Sequence, residues 1–263
     1  MKAKLPIVFA STLLLAIASI GCGNKQATNE SISVNAPAGK SVDAATAGSI
    51  TGTIKLNGVP PKMKVINMAA EPSCAKDHEK QPAMSEDVIP GENGTLQNVV
   101  VYLQGDFSQY TFTMPTTPVT FDQKGCQYHP HVLALMMNQP LQVINSDPVT
   151  HNIHPVPKDN REWNQSQPPG AAPIDQSFAH AEIAIPVKCN IHPWMKGYIA
   201  VFSNPYFEVT GKDGSFEIKN VPPGTYNVTA WHELCGTTQQ SVTVQPKESK
   251  NITLTFNTAA AGD

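Results

Sequence analysis

Charged side chains are scarce in this chain: Asp, Glu, Lys and Arg make up 15% of its 263 residues, against about 25% in ordinary soluble domains. There is no basic run and the formal net charge is −3, which excludes the electrostatic footprint of a nucleic-acid binder. From residue 48 onward no window carries the i, i+3, i+4, i+7 apolar repeat of an amphipathic helix. Wholesale disorder is excluded too, because 40% of the residues are hydrophobic and disorder needs the opposite balance. Proline, by contrast, is plentiful at 23 residues, nearly twice the usual ~5%.

What is present is a succession of short β-rich runs between Gly, Pro and Asn punctuation. They fall at 50–56, 98–103, 141–145, 178–187, 198–202, 216–218, 226–231, 241–244 and 252–256. Frequent short strands with turn signals predict sandwiches or barrels. One short helix fits around 69–80. The prolines from Pro155 to Pro173 predict a long surface loop.

The N-terminus reads as an address. Lys2 and Lys4 precede an uncharged apolar run from Leu5 to Ile20, the pattern of an export signal over 1–21. The run is short for a membrane span. It ends in Ala18-Ser19-Ile20-Gly21-Cys22, which resembles a bacterial lipobox, although Ser19 departs from the usual Leu. That resemblance implies acylation of Cys22, attachment to a bacterial membrane and a location on its periplasmic side. Gly23 after Cys22 points to the outer membrane by the same resemblance. Residues 22–47, rich in Gly, Asn, Ala, Ser and Thr, read as a disordered tether.

Two strands carry phase information. In Glu182-Ile183-Ala184-Ile185-Pro186-Val187-Lys188-Cys189 the odd positions are apolar, so Cys189 shares a face with Ile183, Ile185 and Val187. In Val149-Thr150-His151-Asn152-Ile153-His154, His151 faces with Val149 and Ile153 while His154 points away. Cys189 begins the segment Cys189-Asn190-Ile191-His192-Pro193-Trp194-Met195. A thiolate, an imidazole and a thioether on one tight turn suit a mononuclear copper site, with His151 as the second imidazole. Zinc gains little from a Met ligand, and a binuclear copper centre would need a second Cys in the loop. Two rival readings stay open here: Met195 as ordinary core, and His154 as the ligand in place of His151.

This C-x-x-H-x-x-M loop after an apolar strand, with an upstream His-Asn pair, resembles the cupredoxins, the plastocyanin/azurin family, with an amicyanin-like ligand loop. The likeness covers roughly 93–203. It implies a Greek-key sandwich holding one type 1 copper ion on His151, Cys189, His192 and Met195. It also implies that the Asn152 side chain ties the ligand loops together. His192 would lie nearest the surface, beside a docking patch of Pro193 and Trp194. Its implied role is one-electron transfer with periplasmic redox proteins such as c-type cytochromes, not catalysis.

Residues 205–256 differ. Asp213-Gly214 makes a hairpin turn, and Val221-Pro222-Pro223-Gly224-Thr225-Tyr226 sets a corner. This stretch resembles the carboxypeptidase regulatory-like, or prealbumin-like, sandwich. Its usual opening segment is missing before 205 but occurs at Ser49–Pro60, as Ser49-Ile50-Thr51-Gly52-Thr53-Ile54 through Gly58-Val59-Pro60. The expected fold is therefore all-β: a cupredoxin-like Greek-key sandwich over 69–204, inserted into a smaller prealbumin-like β-sandwich built from 48–68 and 205–256, with a tail at 257–263. A competing reading gives 48–68 to the cupredoxin itself.

The five cysteines then sort by role. By the resemblances above, Cys22 would be the lipid site and Cys189 the metal thiolate. Export favours pairing of the others, and Cys74–Cys126 is preferred because Cys235 lies in the other module. The histidines of Cys126-Gln127-Tyr128-His129-Pro130-His131 read mainly as solvated surface, with a second metal site as the alternative. Copper delivery without redox shuttling, or a structural or glycan-binding role, are the rival functions.

Overall fold

A computed structural model describes residues 39–258; the export signal expected over 1–21, the expected lipid site Cys22, the start of the expected tether and the end of the tail lie outside the described residues. The described strands form four sheets. The two outer sheets bury one face, and strands such as β2 and β11 of the inner two bury both.

The first outer sheet has the order β13-β1-β16, with β1 at Gly48–Asn57, β13 at Ser215–Val221 and β16 at Ser249–Asn257. In β1, Ile50, Ile54 and Leu56 are buried while Thr51, Thr53 and Lys55 face outward, the period of two that a half-buried strand requires. β1 pairs antiparallel with β13 and parallel with β16, although these partners follow it by some 160 and 200 residues. Behind it lies the order β12-β2-β14-β15, comprising β2 (Val100–Gln104), β12 (Phe207–Val209), β14 (Gly224–His232) and β15 (Gly236–Val244). Ile50, Ile54, Val99, Val101, Phe216, Val228 and Leu254 share the core between these two sheets.

β2 corrects the expected boundary, which placed 93–103 in the central module. Its run Val99-Val100-Val101-Tyr102-Leu103 is apolar on both faces. Val99, Val101 and Leu103 enter the first core, while Val100 and Tyr102 meet Val132, Ala200 and Phe202 on the other side. Such a strand is stable only between two layers, and it joins the sheet of β12 and β14.

The third sheet has the order β5-β11-β10-β7-β8, with β5 (Val132–Met136), β7 (His151–Pro155), β8 (Gln165–Gln167), β10 (Glu182–Lys188) and β11 (Lys196–Phe202). Its strands also alternate between two cores. Tyr198, Ala200 and Phe202 of β11 face back toward β2, while Ile199 and Val201 face forward. The fourth sheet, β4-β3-β6-β9, closes the forward core with β3 (Val119–Lys124), β4 (Gln127–His129), β6 (Leu141–Asn145) and β9 (Ile174–Gln176). Phe121, Tyr128, Leu141, Val143, Ile153, Ile185 and Ile199 fill this core. Parallel pairs β3–β6 and β5–β11 sit among antiparallel neighbours. The fold is thus all-β, a central β-sandwich packed against a second, smaller β-sandwich.

Four expectations shift. Residues 39–47 are not a free tether: Lys40 bridges to Tyr110 and Asp43 caps a turn through Ala45 and Thr46. The segment 48–68 divides, since Ile66 and Met68 pack in the forward core and not beside β1. The Pro-rich stretch is not one loop, because β7 runs through Pro155 and recruits Gln165–Gln167 as an edge strand. Ile183 does not share the Cys189 face. A bulge between Glu182 and Ile185, with Ala184 at φ 64°, turns Ile183 to the opposite core.

The one α-helix among the described residues is α1 (Pro72–Asp77), within the expected 69–80. A disulfide joins its Cys74 to Cys126, with Cα atoms 5.8 Å apart. Cys235 is a free thiol at the β14–β15 hairpin.

Candidate metal centre

Two loops at one end of the forward core carry the polar residues. The link from β6 to β7 delivers Asp147 and β7 opens on His151, while the link from β10 to β11 delivers Cys189, His192 and Met195. The second loop is a closed turn: Cys189 N–H donates to the Met195 carbonyl (3.2 Å) and Met195 N–H to the His192 carbonyl (2.9 Å). This hydrogen bonding holds Cys189 and His192 on one side of the loop.

The donors converge. His151 Nδ1 lies 2.9 Å from His192 Nδ1, and His192 Nδ1 lies 3.8 Å from Cys189 Sγ. One donor atom from each of the three residues falls within 4.8 Å of the others, and all three side chains are buried. Met195 is buried in the same core as Cys189. His154 is outside this group, bonded to Asn190 Oδ1 (3.2 Å) and Glu162 Oε1 (2.6 Å).

The surroundings orient these groups. His151 Nε2–H donates to Asp147 Oδ2 at 2.8 Å, which leaves the Nδ1 lone pair for the centre of the cluster. Asp147 is itself fixed by the Gly125 and Cys126 backbone N–H groups at 2.6 and 2.7 Å. Asn152 ties the two loops, its Oδ1 accepting from Asn190 N–H. Tyr128 Oη–H donates to the Asn152 carbonyl at 2.7 Å, anchoring that strand from the facing sheet.

Electrostatics follow the same geometry. Burial pushes the Cys189 thiol up, but hydrogen bonds from His151 and from the Asn152, His192 and Ile191 N–H groups outweigh it and hold the thiol below its ordinary range. Burial would lower His151, yet Asp147 and Cys189 raise it. Burial and the neighbouring His151 lower His192. Burial would raise Asp147, but the His151 and backbone hydrogen bonds bring it below the usual carboxylate range.

His192 departs from its expected place nearest the surface, since it is only 2% exposed. Glu71, at the N-terminus of α1, lies over it with Oε2 3.8 Å from His192 Nε2, and that nitrogen has no hydrogen-bond partner. The Cys74–Cys126 bridge pins α1 there. Trp194, half-buried, stands 5.1 Å from the His192 ring and donates Nε1–H to the Cys126 carbonyl (3.1 Å). Only Pro193 of the expected docking pair is exposed, next to Ile191 at 49% exposure.

Sequence reasoning missed Asp147 and Glu71. Asp147 stands four residues before His151, a spacing without periodic meaning in a loop. Glu71 is remote in sequence and arrives only through the disulfide. A second cluster of Cys126, Asp147 and His151 is not a separate site, because the Cys126 sulfur is committed to Cys74.

Comparison with known proteins gives partial likenesses. The family model described as polysaccharide lyase family 4, domain II, matches residues 197–252. No curated protein matches the chain. Among solved structures, a copper-containing nitrite reductase from Thermus scotoductus SA-01 aligns at 19% identity and TM-score 0.31, over 38% of this chain and 25% of its own. The chain therefore spans a quarter of that protein's length. A reduced amicyanin variant aligns at 22% identity and TM-score 0.29, over 32% and 81%. A purple cupredoxin from Nitrosopumilus maritimus aligns at 19% and 0.27, over 31% and 97%.

Proposed function

We propose that this protein binds one copper ion through His151, Cys189, His192 and Met195 and carries single electrons. The observation supporting this is the buried convergence of two Nδ1 atoms and one thiol held toward its thiolate form. The donor set fits copper. Two imidazole nitrogens 2.9 Å apart can share only one proton, and a soft sulfur beside them suits a metal that cycles between Cu(I) and Cu(II). When bound, the ion supplies a one-electron redox couple. The protein's own residues do the rest: Asp147 fixes the His151 tautomer, Asn152 holds the loops at constant spacing, and the apolar core excludes water. With four donors proposed from the chain itself, the ion would keep no open position for a substrate, which favours a carrier.

The reading extends to a periplasmic lipoprotein tethered through Cys22, exchanging electrons with proteins such as c-type cytochromes at the face around Ile191 and Pro193. Its modules are nested, with most of the copper sandwich inserted between β2 and β12. A second reading, copper holding or delivery, draws on the cover of Glu71 and α1 over His192. Loading with Cu(II) distinguishes the two. A strong visible sulfur-to-copper band, lost in Cys189→Ser, together with reversible one-electron electrochemistry, supports the carrier. Stoichiometric copper without colour or reversible redox supports delivery, and no copper uptake refutes both.

A further inference from the structure

The central and outer sandwiches meet at a buried polar cluster that the copper site does not use. His131, between β4 and β5, has a side chain only 2% exposed. Its Nε2–H donates to Glu233 Oε1, from the β14–β15 hairpin, whose side chain is 3% exposed. Tyr198 packs edge-on against the His131 ring at 6.0 Å. The imidazole is therefore locked in orientation, with Nδ1 turned toward Glu86 Oε2 at 3.7 Å. Both residues line a cavity of about 210 Å³, together with Gln127, Trp194, Met195 and Lys196.

That spacing is too long for a hydrogen bond. It is close to the ~3.4 Å expected between two ligands of one tetrahedral ion with nitrogen and oxygen bonds near 2.0–2.2 Å. The carboxylate behind the imidazole completes the carboxylate–histidine–metal arrangement that fixes a ligand's tautomer. Gln127 lines the same cavity, its Nε2 donating to the Met84 carbonyl at 3.4 Å. The charge balance points the same way. Asp87 and Glu233 share one ammonium, Lys196, which binds Asp87 and reaches Glu233 at 3.5 Å, while the His131 and His129 imidazoles face Glu86. Burial accordingly holds the Glu86 carboxyl above its usual range, with His131 only partly opposing it.

We infer that this cavity is a second metal site, in which His131 Nδ1 and Glu86, backed by Glu233, bind a borderline divalent ion such as Zn²⁺ and lock the two sandwiches together. The inference does not rest on the copper reading. The opposing possibility is that His131 is simply an imidazolium bridging Glu86 and Glu233, with no ion at all.

The test is calorimetric titration of Zn²⁺ into the full chain carrying Cys189→Ser, which removes the thiolate of the first centre. One equivalent should bind. Adding Glu86→Gln, at a partly exposed position that folding tolerates, should weaken that binding at least tenfold, and His131→Gln should do the same. Zn²⁺ should raise the thermal midpoint of Cys189→Ser and leave that of the double variants unmoved. If Cys189→Ser takes up no Zn²⁺, or if Glu86→Gln binds it as tightly, the site is overturned. Neither result touches the copper reading, which stands or falls on the colour of the wild-type chain.

Discussion

Asp147→Asn tests the construction of the metal centre at its most exposed assumption, that an outer carboxylate sets the His151 ligand. Asp147 accepts three hydrogen bonds, from His151 Nε2 and from the Gly125 and Cys126 N–H groups. Asparagine has nearly the same shape but only one accepting oxygen, so its amide NH₂ must face one of these donors. Leaving one buried donor unmet costs about 1–3 kcal/mol, and weakening the remaining charge-assisted bonds adds about 1 kcal/mol. Urea denaturation of the metal-free chain at pH 7 should therefore show a loss of about 2–4 kcal/mol. Competition titration should show copper affinity reduced 10–100-fold, the usual range for an outer-shell partner. The pH dependence has a definite sign. Asp147 lies below its ordinary range, so its contribution is present above about pH 4 and is lost as pH falls further. The variant should lack that part of the acid sensitivity. A variant within 0.5 kcal/mol and twofold of wild type would refute the reasoning.

His232 is buried, its Nδ1 accepting from the Leu234 and Cys235 N–H groups, and burial brings it down to about 4. The unfolded chain therefore takes up this proton first as pH falls from about 6.5 to 4, and wild type should lose about 3 kcal/mol across that window. His232→Gln should flatten this part of a urea-unfolding pH series. Replacing Cys74 and Cys126 by Ser opens a loop with a separation of 52 residues, which should cost about 4 kcal/mol. It should also speed copper release to a chelator in stopped flow, since α1 would no longer be pinned over His192; unchanged release would contradict the role given to Glu71. Residues 205–256 expressed alone should show no cooperative thermal transition, because their sandwich lacks β1, the strand between β13 and β16.

The parts legible in sequence were those governed by local pattern. Alternation in β1 and in β10 marked strands, and the loop from Cys189 to Met195 carried its donors within seven residues. What was not legible came from contacts set only in three dimensions. The run at 98–103 announced a strand, but which sheet claims it depends on having apolar partners on both faces, and only the stacked layers supply them. Gln165–Gln167 has no apolar signature and becomes a strand because β7 offers an open edge. The bulge at Ala184 breaks a period that the sequence shows as unbroken. Asp147 and Glu71 reach the histidines through loop geometry and a disulfide, neither of which has a spacing rule.

The central claim is that His151, Cys189 and His192 share one copper ion. Anomalous diffraction at the copper edge from crystals of the copper-loaded chain tests it most directly. A strong peak is expected within bonding distance of His151 Nδ1, His192 Nδ1 and Cys189 Sγ, with Met195 Sδ the next nearest donor. The absence of a peak between these three atoms at full loading would contradict the shared site.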